Sequence, residues 1–275
     1  MKVLVLSPGE KAVSRVRPAV VAGRFYPEDS RQLRDDVEEL LAGVSPSSPS
    51  GPKALIAPHA GYAYSGPIAA TAYAQLAPVR DVVRTVIVIG PAHRVAVAGV
   101  ALAACDAFAT PLGDVPTKPT AGGELAHLHF VQISEHVHEL EHALEVHLPF
   151  LQTALAGPFE IVPLVVGDAS AQQVHTLLET LWGGPETLIV TSSDLSHFLS
   201  YEEAQRVDAQ TSVDIVAMEP SRLSERCACG RVVIQGLLLS AATQGLSAQL
   251  LDLRNSGDTG GGRECVVGYG AFALS

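Results

Sequence analysis

Short apolar runs recur along the chain, and three of them end in the same way. Ala54-Leu55-Ile56-Ala57 stops at Pro58 and delivers His59, followed by the aromatic loop Gly61-Tyr62-Ala63-Tyr64-Ser65-Gly66. Val86-Ile87-Val88-Ile89 leads through Gly90-Pro91-Ala92 to His93, and Leu188-Ile189-Val190-Thr191 leads through Ser192-Ser193-Asp194 and Ser196 to His197. Apolar runs of this length, closed by turn residues, predict buried strands. Similar runs predict strands at 99–104, 160–166, 250–253 and 266–274.

Between them the apolar spacing turns helical. Leu33, Val37, Leu40 and Leu41 predict an amphipathic helix that starts at the caps Asp29 and Ser30 and ends by Gly43. Further helices are predicted at 67–76, with Pro67 in a first turn, and at 120–129, 169–181, 201–218, 220–230 and 231–243. Residues 141–155 read as a helix broken near 148 by Pro149. Residues 16–27 read as extended, and 45–52 and 106–119 as loops. Strands alternating with helices predict an α/β fold: a single domain layered α/β/α around a central, mostly parallel or mixed sheet, with 1–16 as an N-terminal extension. Ligand sites in such sheets lie beyond the carboxyl ends of the strands, where all three histidines fall.

Composition narrows the classes. The chain has 275 residues, 47% hydrophobic and 17% charged, enough for a sizeable core and unlike a disordered chain. A formal charge of -11 argues against nucleic acid or an anionic membrane as partner. No stretch approaches the roughly 18 apolar residues of a membrane span. The first ten residues are too soon broken by Ser7-Pro8-Gly9 for a signal peptide, so a cytoplasmic location is expected. In that setting Cys105, Cys227, Cys229 and Cys265 are read as free thiols, and Cys227-Ala228-Cys229 lacks the second pair of a structural zinc site.

Ten histidines are present. His127, His129, His136, His138 and His175 have no partner pattern and read as surface or satisfied core residues. His59, His93 and His197 stand apart because their strand ends bring them together. Two imidazoles with an anionic third ligand suit iron, copper or zinc and leave positions open for substrate. Asp194 can orient an imidazole, ligate a metal, or cap the helix expected after it. Glu141-His142-Ala143-Leu144-Glu145-Val146-His147 matches neither zinc-protease pattern: its histidines lie about 500° apart around a helix. It reads as a segment lining the cleft. No nucleophile elbow, phosphate-binding loop or dinucleotide fingerprint is present.

Taken in order, Ala57-Pro58-His59-Ala60-Gly61-Tyr62, Gly90-Pro91-Ala92-His93, Glu141-His142 through His147-Leu148-Pro149, Ser192-Ser193-Asp194 with His197, and Cys229-Gly230-Arg231 resemble the Memo family. Its animal member is known as a mediator of cell motility, and its prokaryotic members as protein B of the AmmeMemoRadiSam system. The resemblance runs from about Arg17 to the C-terminus. It departs from the animal members at Arg231-Val232-Val233, where they carry a histidine and a proline after the arginine.

The family is similar in fold to the class III extradiol dioxygenases, which are non-haem iron enzymes. The resemblance implies a metal cleft with His59, His93 and Cys229 as ligands, the cysteine standing where the dioxygenases use a glutamate. It implies His197 as an acid/base residue with Asp194 beside it, and His142 and Tyr62 as substrate-binding walls. The cofactor implied is iron or copper, with zinc a competitor for a His/His/Cys site. The function expected is a metal-dependent oxidoreductase acting on a small-molecule or peptide ligand. Two alternatives use the same cleft: a non-enzymatic binding module, as the phosphotyrosine-peptide recognition of the animal member implies, and a zinc hydrolase. The family name further implies an association with a radical SAM protein.

Overall fold

Leu55, Ala57, Val86, Val88, Leu188 and Val190 face one layer of helices, while Ala54, Ile56, Ile87, Ile89 and Ile189 face the other. Side chains alternate across a strand, so a run that is apolar throughout is buried on both sides. The computed structural model describes residues 15–119 and 121–275. Residues 1–14 of the expected extension lie outside these, and so does residue 120.

In chain order the strands are β1 (Val16–Arg17), β2 (Ala54–Ala57), β3 (Thr85–Pro91), β4 (Val100–Leu102), β5 (Ala107–Phe108), β6 (Val115–Pro116), β7 (Val131–Ile133), β8 (Glu160–Val166), β9 (Thr187–Ser192), β10 (His197–Leu199), β11 (Ala248–Asn255) and β12 (Val266–Leu274). The helices are α1 (Ser30–Ala42), α2 (Tyr62–Tyr73), α3 (Ala121–Glu124), α4 (Glu135–His138), α5 (Leu148–Ala154), α6 (Ala171–Leu181), α7 (Tyr201–Val216), α8 (Arg231–Thr243) and α9 (Ser256–Thr259).

Nine strands form one mixed sheet in the order β10-β12-β2-β9-β3-β8-β4-β7, with β11 on β12. Its centre, β2-β9-β3-β8, is parallel, and β12 joins β2 antiparallel. Helices α1, α2 and α5 supply Leu33, Val37, Ile68, Tyr73 and Phe150 to one apolar layer. Helices α6 and α8 supply Leu177, Leu178, Ile234 and Leu237 to the other. Each such side chain, fully buried, contributes about 1.5–3 kcal/mol of hydrophobic stabilisation. The expected single α/β domain with a mixed sheet is what the chain forms. β1, β5 and β6 make a small separate sheet.

Several elements differ from expectation. Helix α2 starts at Tyr62, five residues before Pro67, which sits in its interior. The early start is fixed by tertiary contacts: Tyr62 N donates to Phe25 O, and Tyr62, Ser65 and Gly66 are buried. The helix expected at 120–129 is confined to α3, where Gly122 and Gly123 weaken helix propagation. In 141–155 the helix begins only at Leu148 after a 3₁₀ turn at Glu145–His147, with Pro149 in its first turn, a position that tolerates the missing N–H. Residues 220–230 hold one 3₁₀ turn, Pro220–Arg222, rather than a helix. β5 and β6 occupy part of the expected loop at 106–119, and β7 and β10 are additional strands. No described helix is long and apolar enough to cross a membrane.

Candidate metal centre

β9 lies between β2 and β3, with Ala57 opposite Ser192 and Ile89 opposite Thr191. The carboxyl ends of three adjacent parallel strands therefore open on one spot. Pro58 ends β2 and His59 turns into the crevice; the run after β3 places His93 there; Ser192, Ser193 and Asp194 leave β9 between them. The loop before α5 brings His142 from the side. Among the described residues, His59, His93 and His142 form a group whose ligand atoms all lie within 4.8 Å of one another. Ring centroids are 5.0 Å apart for His59 and His93, 5.5 Å for His59 and His142, and 4.8 Å for His93 and His142.

Hydrogen bonds define which nitrogens carry protons. Ser192 Oγ donates its one proton to Ala143 O at 2.7 Å, so its 2.6 Å contact with His59 Nδ1 is an N–H donated by the imidazole. His93 Nδ1 lies 3.0 Å from Glu141 Oε1, and its backbone N–H donates to Glu141 Oε2 at 2.6 Å. Burial works against the Glu141 charge, but the hydrogen bonds from the His93 side chain and from the N–H groups of Ala143 and His93 outweigh it and hold the pKa down to about 2. A carboxylate accepts only, so His93 also carries its proton on Nδ1. His197 Nδ1 donates to Leu195 O at 2.8 Å. In all three rings the neutral imidazole has its lone pair on Nε2.

Burial, and then the neighbouring imidazoles, push His59 well below the usual histidine pKa, and burial brings His142 down to about 4. Both rings are neutral at neutral pH, the form that binds metals. His142 Nδ1 is buried without a hydrogen-bond partner, 3.3 Å from Glu141 Oε1. Cys229 Sγ is 3.4 Å from His59 Nε2. Burial and the nearby Asp194 carboxyl raise its thiol to about 12, so it holds its proton until a cation displaces it. The other sulfur of the Cys-x-Cys, Cys227, is buried in the second apolar layer. This donor set, with bare Nε2 atoms, an orphaned imidazole nitrogen and a thiol at the rim, fits a transition metal of the imidazole- and thiolate-binding kind.

Two features hold this arrangement. Gly230 N donates to Ser193 Oγ at 2.9 Å, and a Cβ on Gly230 would come within 2.7 Å of Ser193 Cβ and 2.8 Å of Ser192 O. Only glycine lets the start of α8, and Cys229 with it, approach the end of β9 so closely. On the other side, Arg17 and Glu145 are both buried and joined at 2.7 Å. Arg17 also donates to His138 O and Glu141 O, while Glu145 accepts from Val20 N, Val21 N and the Tyr26 hydroxyl. The N-terminal segment is thereby strapped to the loop carrying Glu141 and His142.

Asp194 does not cap a helix. The next element in the chain is β10, and Ser200 caps α7. The Oδ1 of Asp194 accepts from His59 N at 2.8 Å, its Oδ2 lies 3.9 Å from His59 Nε2, and burial raises its pKa to about 7. The third histidine of the group is His142 and not the expected His197, which lies outside it though still within reach of the His93 charge, with Phe198 next in the chain at a φ of 59° and 76% exposed. The Tyr62 hydroxyl donates to Val146 O and its ring packs between Tyr26 and Phe150. His138 is a satisfied core residue, with Nε2 on Ala101 O at 3.0 Å. His147 is also buried, with Nδ1 2.8 Å from the Tyr73 hydroxyl but its Nε2 without a hydrogen-bond partner.

Glu141 and Ser192 had no expected role. Each stands in a run that also carries a histidine, but nothing in the spacing pairs Glu141 with His93, 48 positions away.

The sequence profile of the Memo family, described as "Memo-like protein", matches residues 17–273. A "MEMO1 family protein" of Aquifex aeolicus is 34% identical over 271 residues, spanning 93% of this chain and 97% of its own. One of Ignicoccus hospitalis is 35% identical over 279 residues, spanning 93% and 97%. The crystal structure of an uncharacterized protein from Escherichia coli K12 is similar with a TM-score of 0.52, at 13% identity, over 79% of this chain and 98% of its own. That likeness is one of fold.

Proposed function

This chain belongs to the Memo family, and on that premise we propose that its cleft binds iron or copper and that the protein is a metal-dependent oxidoreductase. The observation that carries the reading is the convergence of three imidazoles within 4.8 Å at the carboxyl ends of adjacent strands. His59 and His93 are the two fixed ligands, Cys229 the anionic one, and His142 a further donor that the fold adds to the expected set. When bound, the metal supplies one-electron redox chemistry and polarises a coordinated oxygen.

The surrounding residues have separate tasks. His197 is held by Leu195 O with Nε2 bare, and burial lowers its pKa, so it is placed to accept a proton at that atom. Asp194, with a pKa near 7, is poised to hold or release one beside His59. The half-buried ring of Phe25, 5.1 Å from His142, shields that side of the cluster from water. The ligand is a small molecule or a peptide end that reaches the cleft past Phe198, and an association with a radical SAM protein is carried over from the family name. The near-neutral pKa of Asp194 favours a second reading, a zinc hydrolase in which Asp194 is the base.

Oxygen uptake by anaerobically iron- or copper-loaded protein, screened against phenolic, amine and peptide compounds, tests the first reading. Turnover lost in His59→Ala and depressed in His197→Ala supports it; turnover confined to the zinc form, as ester or amide cleavage, replaces it with the second.

A further inference from the structure

One carboxylate underlies both fixed imidazoles. Glu141 is buried, and its Oε1 and Oε2 accept from His93 Nδ1 at 3.0 Å and from His93 N at 2.6 Å. Oε1 also accepts from Ala143 N at 3.0 Å. The same Ala143 presents its carbonyl to Ser192 Oγ at 2.7 Å, and Ser192 Oγ receives the Nδ1–H of His59 at 2.6 Å. The two arms leave Glu141 in different directions and end on the far nitrogens of the two rings that face each other across the cleft.

We propose that Glu141 is the positioning residue of the metal centre, fixing the Nδ1–H tautomer and the ring plane of His93 directly and of His59 through Ala143 and Ser192. This rests on the metal-binding reading of the cleft but concerns residues that touch no metal themselves. Imidazoles that bind metals are oriented by such outer partners, and losing one weakens metal binding 10- to 100-fold. The arrangement is more economical than one acceptor per ring. It also explains why a buried acid sits in a loop with no base of its own: Arg17 donates to the Glu141 carbonyl and pairs with Glu145, leaving the Glu141 side chain to the histidines.

Glu141→Gln is the informative variant. Its amide keeps the shape but has one acceptor oxygen for three N–H groups, so one of them must face an NH₂ donor. Histidine side-chain ¹H–¹⁵N long-range spectra of the metal-free protein read the tautomers, with His93→Gln and His59→Gln assigning the signals. In the wild type both rings are expected as Nδ1–H; in Glu141→Gln the amide oxygen is expected to stay on the short contact with the His93 backbone N–H and the NH₂ to turn to the ring, so that His93 leaves that form. Competition for Zn²⁺ against a chromophoric chelator is expected to show the 10- to 100-fold loss in a variant that remains folded but less stable.

Retention of the His93 tautomer together with an affinity within threefold of wild type, in a folded Glu141→Gln protein, overturns the proposal. If that variant does not fold, the wild-type spectrum still decides: an Nε2–H form of either His59 or His93 overturns it. Wild-type protein that takes up no Zn²⁺ yet shows the tautomer change in Glu141→Gln would refute the metal reading and leave the positioning role standing.

Discussion

Ser192 Oγ and His59 Nδ1 are 2.6 Å apart, and the hydroxyl proton is already committed to Ala143 O, so the serine serves the histidine as an acceptor. A strand-end residue with no chemistry of its own thereby decides which face of the imidazole is bare. Ser192→Ala is expected to lower Zn²⁺ affinity about tenfold while costing only about 1 kcal/mol of stability. Chelator competition and urea unfolding measure the two effects separately.

Arg17 and Glu145 are a buried pair whose remaining hydrogen-bonding groups are all directed at the strap and the site loop. Removing one partner leaves the other charge buried without compensation. Arg17→Ala is expected to destabilise the fold by about 3–5 kcal/mol, far more than the loss of an exposed pair such as Arg206–Glu203. Denaturant unfolding of the two variants tests the contrast.

How much of this was legible in the chain differs between its layers. The central strands were, because burial on both faces leaves runs such as Val86-Ile87-Val88-Ile89 with no polar interruption. So was the meeting of His59 and His93, since strand ends in a parallel sheet share one edge. The start of α2 was not, because it depends on Phe25, more than thirty positions from Tyr62, through a contact no local pattern encodes. The role of Glu141 was hidden for the same reason. Its neighbours in sequence marked it only as the start of a segment lining the cleft, and its partner His93 belongs to the distant loop after β3. Capping stayed among the three roles open to Asp194 because a helix was expected after it, whereas pairing of His197 with Val267 in β12 draws that segment into a strand.

Asp208, buried on α7 and bonded to Ser196 N, gives the fold its own pH dependence. Burial pushes its pKa up to about 6 although Ser196 N donates to it, and its Oδ2 has no partner. The folded state holds this proton more tightly than the unfolded chain, whose carboxyl has the ordinary value of about 3.9. Its contribution is therefore fully present below about pH 4, and stability declines as the pH rises through about 6, by roughly 3 kcal/mol in all. Asp208→Asn is expected to abolish that decline, so that its stability advantage over wild type grows between pH 4 and pH 7. Urea midpoints of both proteins at the two pH values check it; an advantage that does not change with pH contradicts it.

Phe198 holds a left-handed φ of 59° with its ring in solvent, so little packing offsets the backbone strain. Asparagine tolerates that region far better than an aromatic residue. Phe198→Asn is expected to stabilise the protein by about 1 kcal/mol, seen as a higher urea midpoint.

The function proposed for the cleft requires a metal held between His59 and His93. Anomalous diffraction at the iron, copper and zinc edges, from crystals grown anaerobically and loaded with each ion, measures this directly. The expected result is a single strong peak bonded to Nε2 of both imidazoles, with Cys229 or His142 completing the set, and its loss in His59→Ala. Fully loaded crystals with no peak between these two rings, or with the ion elsewhere on the protein, would contradict it.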